Sequence, residues 1–290
     1  MGEVCYESFL KDNNFDVIGI ILPKKNSLYK TSIFVKNVKE GIRVLYSDNK
    51  NIIYNFIKNL KPNVVVVSTF NKILNSKILN TSKFINIHHG KLPKQKGRAS
   101  INWALIMGRN NIYITIHEIN KELDGGKILK QEKILISKTD NYFKIQKKIN
   151  FFLKNNLTKI IAKYLSNKVR LKENLQKNES WNCSRNPQDS MINFFDKKSD
   201  VINLIRGVSN KEFGAYCFLK EKKIIILEAR NSKINFEGII PGRVTKIYKN
   251  GSIDCLCIDG PINITKILYK NKIMKPNNLI KSTRDTLLND

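Results

Sequence analysis

The chain has 290 residues, with 52 Lys and Arg against 24 Asp and Glu, and a formal charge of +28 at neutral pH. That length suffices for one large domain or two ordinary ones, and no apolar run approaches the ~20 residues of a membrane-spanning helix. Five scattered cysteines without a CxxC pair argue against a zinc motif and a disulfide framework, and the start Met1-Gly-Glu-Val-Cys5 lacks the pattern of a signal peptide.

The expectation is therefore a reduced, soluble, cytoplasmic protein with no membrane partner and no metal. Cys255 and Cys257 stand two apart in a strand-like run and read as small buried hydrophobes. The positive charge is mostly Lys, spread along the chain with abundant Asn and Ile. This points to biased codon usage as much as to a phosphate-bearing partner. It is compatible with tRNA without establishing it.

In chain order, residues 1–10 read as a helix and 15–22 as an apolar strand covered on both faces. A loop from Pro23 and a helical segment lead to a short strand at 43–46. Asp48-Asn-Lys50 offers a helix start for 52–60, with Ile53, Phe56, Ile57 and Leu60 on one face. Pro62-Asn-Val-Val-Val-Val-Ser68 is the clearest central strand, followed by a helix over 72–79 and a strand over 84–88. A helix over 99–108, strands over 112–117 and 128–136, and a long amphipathic helix capped at Thr139-Asp140 complete a βα sheet domain that closes near residue 170.

Residues 171–184 are polar and read as a linker. Beyond them a helix over 199–208 precedes short strands at 215–219, 223–229, 242–248, 252–258 and 262–267, a pattern that suggests a small barrel or sandwich. The domain reading is 1–170 for an open, mostly parallel Rossmann-like α/β sheet and 185–272 for a small β-barrel-like domain. A polar tail over 273–290 is expected to fray.

Three polar residues fall where such a sheet brings its strand ends together. Asn86 and His88 are two apart on one strand and share a face. Asp124 follows His88 by thirty-six residues, in the turn Leu123-Asp-Gly-Gly126. An amide can hold a developing oxyanion, an imidazole can move an amine's proton, and a carboxylate can fix the imidazole's tautomer. No Ser or Cys is placed as a nucleophile, so the set fits direct acyl transfer to an amine. His89 and His117 read as packing or surface residues, Trp103 as core, and Arg206 as a structural ion pair at least as readily as a substrate contact.

Asn86-Ile-His88, Leu92-Pro-Lys94, Gly97-Arg98, Asn102-Trp-Ala104, Gly108, Thr115-Ile-His117 and Leu123-Asp-Gly-Gly126 resemble, in order and spacing, the 10-formyltetrahydrofolate-dependent formyltransferase family. Ser184-Arg185, Pro187-Gln-Asp189, Leu204-Ile-Arg206, Gly214-Ala215 and Pro241-Gly242 are similar to the C-terminal domain attached to several of its members. The resemblance implies Asn86, His88 and Asp124 as the catalytic trio and 10-formyltetrahydrofolate as co-substrate. It places the pterin against the 123–126 turn and the strand end at 67–70, with Ser68, Phe70, Leu92, Leu123, Gly125 and Gly126 as binding residues.

Three departures accompany it. Gly90 stands where the family carries Ser or Thr, Tyr113 where Gly is common, and Met1-Gly2 aligns with the turn after the family's central first strand. That strand is expected to be missing from the sequence as given, with a natural chain longer by roughly ten residues. For the acceptor, residues 45–49 and 60–64 resemble the formyltransferase domain of the bifunctional aminoarabinose enzyme, which implies the amine of a nucleotide-linked amino sugar. Initiator methionyl-tRNA is the alternative, favoured by the second domain and the charge, and a non-catalytic binding remnant is a third reading. Oligomeric state is open.

Overall fold

The computed structural model describes residues 1–23, 38–70, 72–175, 177–209 and 214–288. The helical segment expected before residue 43 lies outside them. Among them the chain divides into two compact units: Met1–Gly97, Tyr113–Ile134 and Gln146–Trp181 form the first, and Arg98–Ile112, Leu135–Ile145 and Asn182–Asp290 the second. The division differs from a single cut near residue 170, because two short inner segments go with the C-terminal unit.

The first unit opens with α1 (Gly2–Leu10), β1 (Gly19–Leu22), β2 (Arg43–Tyr46) and α2 (Lys50–Leu60). Only the last four residues of the expected 15–22 strand are extended, because that is the length that pairs, in parallel, with β2. Asn49 caps α2, its side-chain oxygen accepting from Asn51 N and Ile52 N. Gly19 lets α2 lie close on the sheet, since a Cβ there would stand 2.5 Å from the tip of Leu60.

β3 (Val64–Ser68), α3 (Ser76–Leu79), β4 (Lys83–His88) and the two-residue β5 (Lys96–Gly97) follow. The helix expected over 72–79 shrinks to the single turn of α3, which starts where the Asn75 side chain accepts from Ile78 N. After α4 (Ser100–Ile106) come β6 (Asn111–Glu118), β7 (Ile128–Leu135), α5 (Tyr142–Leu165) and the two-residue β8 (Trp181–Asn182). The cap expected at Thr139-Asp140 moves one residue on: Asn141 Oδ1 accepts from Lys144 N, while Asp140 turns back to Ser137 N. Ile149, Leu153, Leu157 and Ile161 are completely buried at four-residue spacing on α5, whereas Phe143 and Phe151 stay exposed.

The main sheet has the order β3-β4-β6-β7, with β3 parallel and β6 antiparallel to β4. β1 and β2 form their own parallel pair, and among the described residues no ladder joins β1 to β3. Yet Ile21, Leu45, Val65 and Val67 pack on one cluster around Ile53 and Ile57 of α2. One helix thus covers two sheet pieces that no ladder joins among the described residues. β1 and β3 are accordingly only partly buried along their whole length.

The second unit is built on α6 (Lys198–Gly207) and a sheet of β9 (Tyr216–Leu219), β10 (Lys222–Asn231), β11 (Val244–Ile247), β12 (Ile253–Cys257), β13 (Gly260–Tyr269), β14 (Lys272–Met274) and β15 (Leu287–Leu288). It is one curled antiparallel sheet of order β11-β12-β13-β10-β9-β15, with β14 on β13. Cys217, Cys255 and Cys257 are completely buried in its core, as small hydrophobes. The tail expected to fray is part of this sheet: Leu287 is buried, pairs with Leu219 and donates its N–H to Gly242 O, and Ile280 is sealed in the core. Trp103, expected in the core, is only half-buried; its Nε1 donates to Cys183 O and Arg185 lies over its ring. Arg206 holds the Ser137 and Asp140 carbonyls, a structural role.

Asp254 is fully buried in this sheet and accepts from Ser232 Oγ (2.6 Å), Tyr248 Oη (2.7 Å) and Asn263 Nδ2 (2.8 Å). Asp254→Ala takes the acceptor from the Ser232 and Tyr248 hydroxyls, while Asn263 Nδ2 keeps the Ile253 carbonyl, and should lower unfolding free energy by ~1–3 kcal/mol, read by urea titration. Hydrogen exchange should find the β4 amides, flanked by strands on both sides, outlasting those on the open edges of β1 and β3 by at least about 100-fold.

Candidate active site

Asn86 and His88 lie on the same face of β4 because side chains alternate along a strand. The antiparallel register sets Asn86 opposite His117 and His88 opposite Thr115. His117 thereby enters the cluster, where the sequence placed it among packing or surface residues. The turn after β6 brings Asp124 to the same place, in a left-handed backbone conformation with φ 51°. Gly126 makes that turn possible: a Cβ there would collide with the Glu118 carbonyl oxygen.

Asp124 is buried and gathers the other groups. Its Oδ2 lies 3.5 Å from His88 Nδ1 and accepts from Gly97 N at 3.0 Å. Its Oδ1 lies 3.7 Å from His117 Nε2 and accepts from Asn86 Nδ2 at 3.4 Å. Asn174 Nδ2 donates to the Asp124 and Gly126 carbonyls at 2.8 and 3.1 Å, fixing the turn from residues first read as linker.

The histidine tautomers follow from their partners. His117 Nδ1 donates to the Glu118 carbonyl at 2.7 Å, so Nε2 is left to accept from Asn86 Nδ2 at 3.2 Å. Burial, then the neighbouring His88, push the His117 pKa down to about 4, which keeps this ring neutral. His88 Nε2 donates to the Gln95 carbonyl at 2.8 Å, and its other nitrogen faces Asp124. His89 contacts Met1 Sδ and takes no part in the cluster.

Gly90 explains how the Gln95 carbonyl reaches the imidazole. A Cβ at position 90 would stand 2.5 Å from both Gln95 O and His88 Nε2. The main-chain oxygen therefore occupies the space a side chain would need. The loop behind it is tied down by Thr115 Oγ1 donating to Gly90 O and by Gln131 Nε2 donating to Leu92 O. Tyr113 lies under the Lys91 ammonium.

Of the residues named as folate contacts, Ser68 ends β3 in register with Ile87, one residue from Asn86 and His88. Its hydroxyl, beside the Cys5 thiol, has no oxygen or nitrogen partner among the described residues. Phe70 is half-buried, Leu92 is buried and Leu123 is half exposed at the tip of the Asp124 turn. Gly125 packs on the Glu122 side chain and Gly126 on Glu118. No group of His, Cys, Asp and Glu among the described residues is arranged to hold a metal, and no helix among them is long and apolar enough to cross a membrane.

Two family profiles match the sequence: formyl transferase over residues 31–161, and the formyl transferase C-terminal domain over residues 185–284. The bifunctional polymyxin resistance protein ArnA of Wigglesworthia glossinidia brevipalpis is 32% identical over 75% of this chain, which spans about a third (34%) of that relative. The methionyl-tRNA formyltransferase of Malacoplasma penetrans is 27% identical, over 83% of this chain and 78% of its own length. Among solved structures, WlaRD, a sugar 3N-formyl transferase crystallised with dTDP and 5-N-formyl-THF, superposes with a TM-score of 0.63 at 20% identity, covering 93% of this chain and 94% of its own. HypX from Aquifex aeolicus in complex with tetrahydrofolic acid superposes with a TM-score of 0.66 at 15% identity, over 92% of this chain and 48% of its own. With both profiles matched in order and Asn86, His88 and Asp124 brought together at the strand ends, the chain belongs to the formyl transferase family.

Proposed function

We propose that this chain transfers a formyl group from 10-formyltetrahydrofolate to a primary amine. The observation that carries the reading is the buried Asp124 carboxylate, whose two oxygens meet His88 on one side and Asn86 on the other. When bound, the folate supplies the formyl carbon: the amine nitrogen bonds to it, its bond to the folate nitrogen breaks, and one proton passes from the amine to that nitrogen. Ser68, Phe70, Leu123 and the 125–126 backbone are the residues to hold the donor.

The chain's own groups divide the remaining work. Asn86 Nδ2 reaches Asp124 only at 3.4 Å, a long bond that a developing oxyanion can replace. The neutral His117 keeps that amide turned the right way, because its Nε2 can only accept. His88 sits between a carbonyl and a carboxylate, so a proton on either nitrogen has an acceptor, and the ring can relay the amine's proton when its Nε2 exchanges the Gln95 carbonyl for the amine. Burial of His88 and Asp124 keeps competing water away from both.

For the acceptor, the reading is the amine of a nucleotide-linked amino sugar. It is supported by the likeness of residues 45–49 and 60–64 to the aminoarabinose enzyme and by the 32% identity to the ArnA relative. Methionyl-tRNA is the second reading, supported by the methionyl-tRNA formyltransferase relative and by the charge of +28. The protein is expected to act in the cytoplasm, where both acceptors and reduced folate are found.

Purified protein, 10-formyltetrahydrofolate and either amino-sugar nucleotides or charged initiator tRNA should release tetrahydrofolate; release with tRNA alone would reverse the order of acceptors, and none with any acceptor would sink the enzyme reading. His88→Ala should lower kcat by more than about 100-fold, and near-normal turnover would remove His88 from the chemistry. A second expectation concerns acid. His117 titrates near 4 folded and near 6.5 unfolded, so its contribution is complete above 6.5 and is lost as pH falls toward 4. Urea midpoints of the wild type should fall faster between these limits than those of His117→Gln; parallel curves would contradict a neutral His117.

A further inference from the structure

Three main-chain and side-chain groups from residues 95–97 determine how the site is held, and none of them is a catalytic group. Gln95 offers its carbonyl to His88 Nε2 at 2.8 Å, and Gly97 donates its N–H to Asp124 Oδ2 at 3.0 Å. The residue between them, Lys96, has 2% of its surface exposed and is among the largest enclosed side chains of the described residues. A buried ammonium is costly unless it is matched, and here Nζ donates to Glu179 Oε2 at 2.6 Å. The Trp181 ring lies 5.1 Å from the same ammonium, and Trp181 Nε1 donates to the other Glu179 oxygen at 3.2 Å.

The backbone repeats the attachment. Lys96 N donates to Ser180 O at 2.9 Å and Gln95 N to Ser180 Oγ at 3.1 Å. Such anchoring has something to oppose. Gln95 has φ 61°, left-handed and unfavourable for a residue with a Cβ. A turn in this state holds its shape only where its neighbours over-determine it. Released from the 179–181 segment, Gln95 would relax, its carbonyl would leave His88, and Gly97 would leave Asp124.

We propose that Lys96 is a positioning residue: through its clamp on Glu179 and Trp181 it fixes the 95–97 backbone, and through that backbone it sets the His88 ring and the Asp124 carboxylate. The inference rests on the formyl-transfer reading for its catalytic consequence alone. Its structural half is visible in the imidazole of His88 whatever the reaction. A polypeptide segment that the sequence presents as a polar connector thus completes the site without touching a reacting atom.

The experiment compares the full chain with Lys96→Met, which keeps the apolar stem and removes the charge, and with Glu179→Ala, which changes a more exposed partner. With only three histidines in the chain, long-range proton–nitrogen spectra resolve each ring, and a His88→Asn sample identifies the His88 signals. The wild type should show a slowly exchanging proton on His88 Nε2; in Lys96→Met it should exchange with water at least about 10-fold faster, with kcat lower by roughly 10- to 100-fold and the folate KM nearly unchanged. A folded Lys96→Met protein with a wild-type His88 signal overturns the proposal, and so does a shifted signal with unchanged kcat. Should Lys96→Met not fold, Glu179→Ala answers the same question by the same two readings. If the wild type turns over no acceptor, the formyl-transfer reading fails and the imidazole signal alone decides for or against the positioning role.

Discussion

A carboxylate taken out of water has to be surrounded by donors, and the catalytic unit is arranged around meeting that need for Asp124. Its two oxygens draw in the Gly97 N–H, the His88 ring and the Asn86 amide, with His117 close by. Its own carbonyl is taken by Asn174. Removing the negative charge would leave these groups without the acceptor that orients them. The left-handed φ of Asp124 and the bare Cα of Gly126 are the local costs of placing that charge inside the protein.

From this charge the division of labour between the two histidines follows. Both are buried and both lie near the same carboxylate, yet one donates its second ring nitrogen to a strand-end carbonyl and is held neutral. The other is left between two acceptors. The difference comes from the backbone oxygen each ring meets, Glu118 O for His117 and Gln95 O for His88. Two chemically identical side chains are thereby held in different hydrogen-bonding environments by main-chain geometry.

Much of this was legible in the sequence where it depends on short-range pattern. The two-residue spacing of Asn86 and His88 fixes their common face, and the Asp-Gly-Gly turn announces a tight backbone. His117 was not legible as a site residue, because its place opposite Asn86 depends on the antiparallel register of β4 and β6, which local alternation does not encode. The same holds for the last strand: Leu287 pairs with Leu219 across sixty-eight residues, and its flanking sequence is as polar as any loose tail. The short α3 errs in the other direction. Apolar residues at helical spacing were present from Lys72 on, but Asn75 captured the backbone and started the helix late. Lys96 and Glu179 were invisible for a further reason: a lysine in a lysine-rich chain gives no hint that it is enclosed.

The oxygen that meets His88 belongs to the main chain, and this has a bearing on how the site can change over time. Any residue at position 95 that can adopt its left-handed φ supplies the same carbonyl, so such substitutions leave the acceptor in place. Constraint passes instead to position 90, where a side chain would displace the carbonyl. A chain with Ser or Thr at this position must carry the 95 carbonyl elsewhere, so this contact to the imidazole goes with the bare Cα of Gly90. A survey that ranks side chains by invariance would overlook a contact that the main chain supplies.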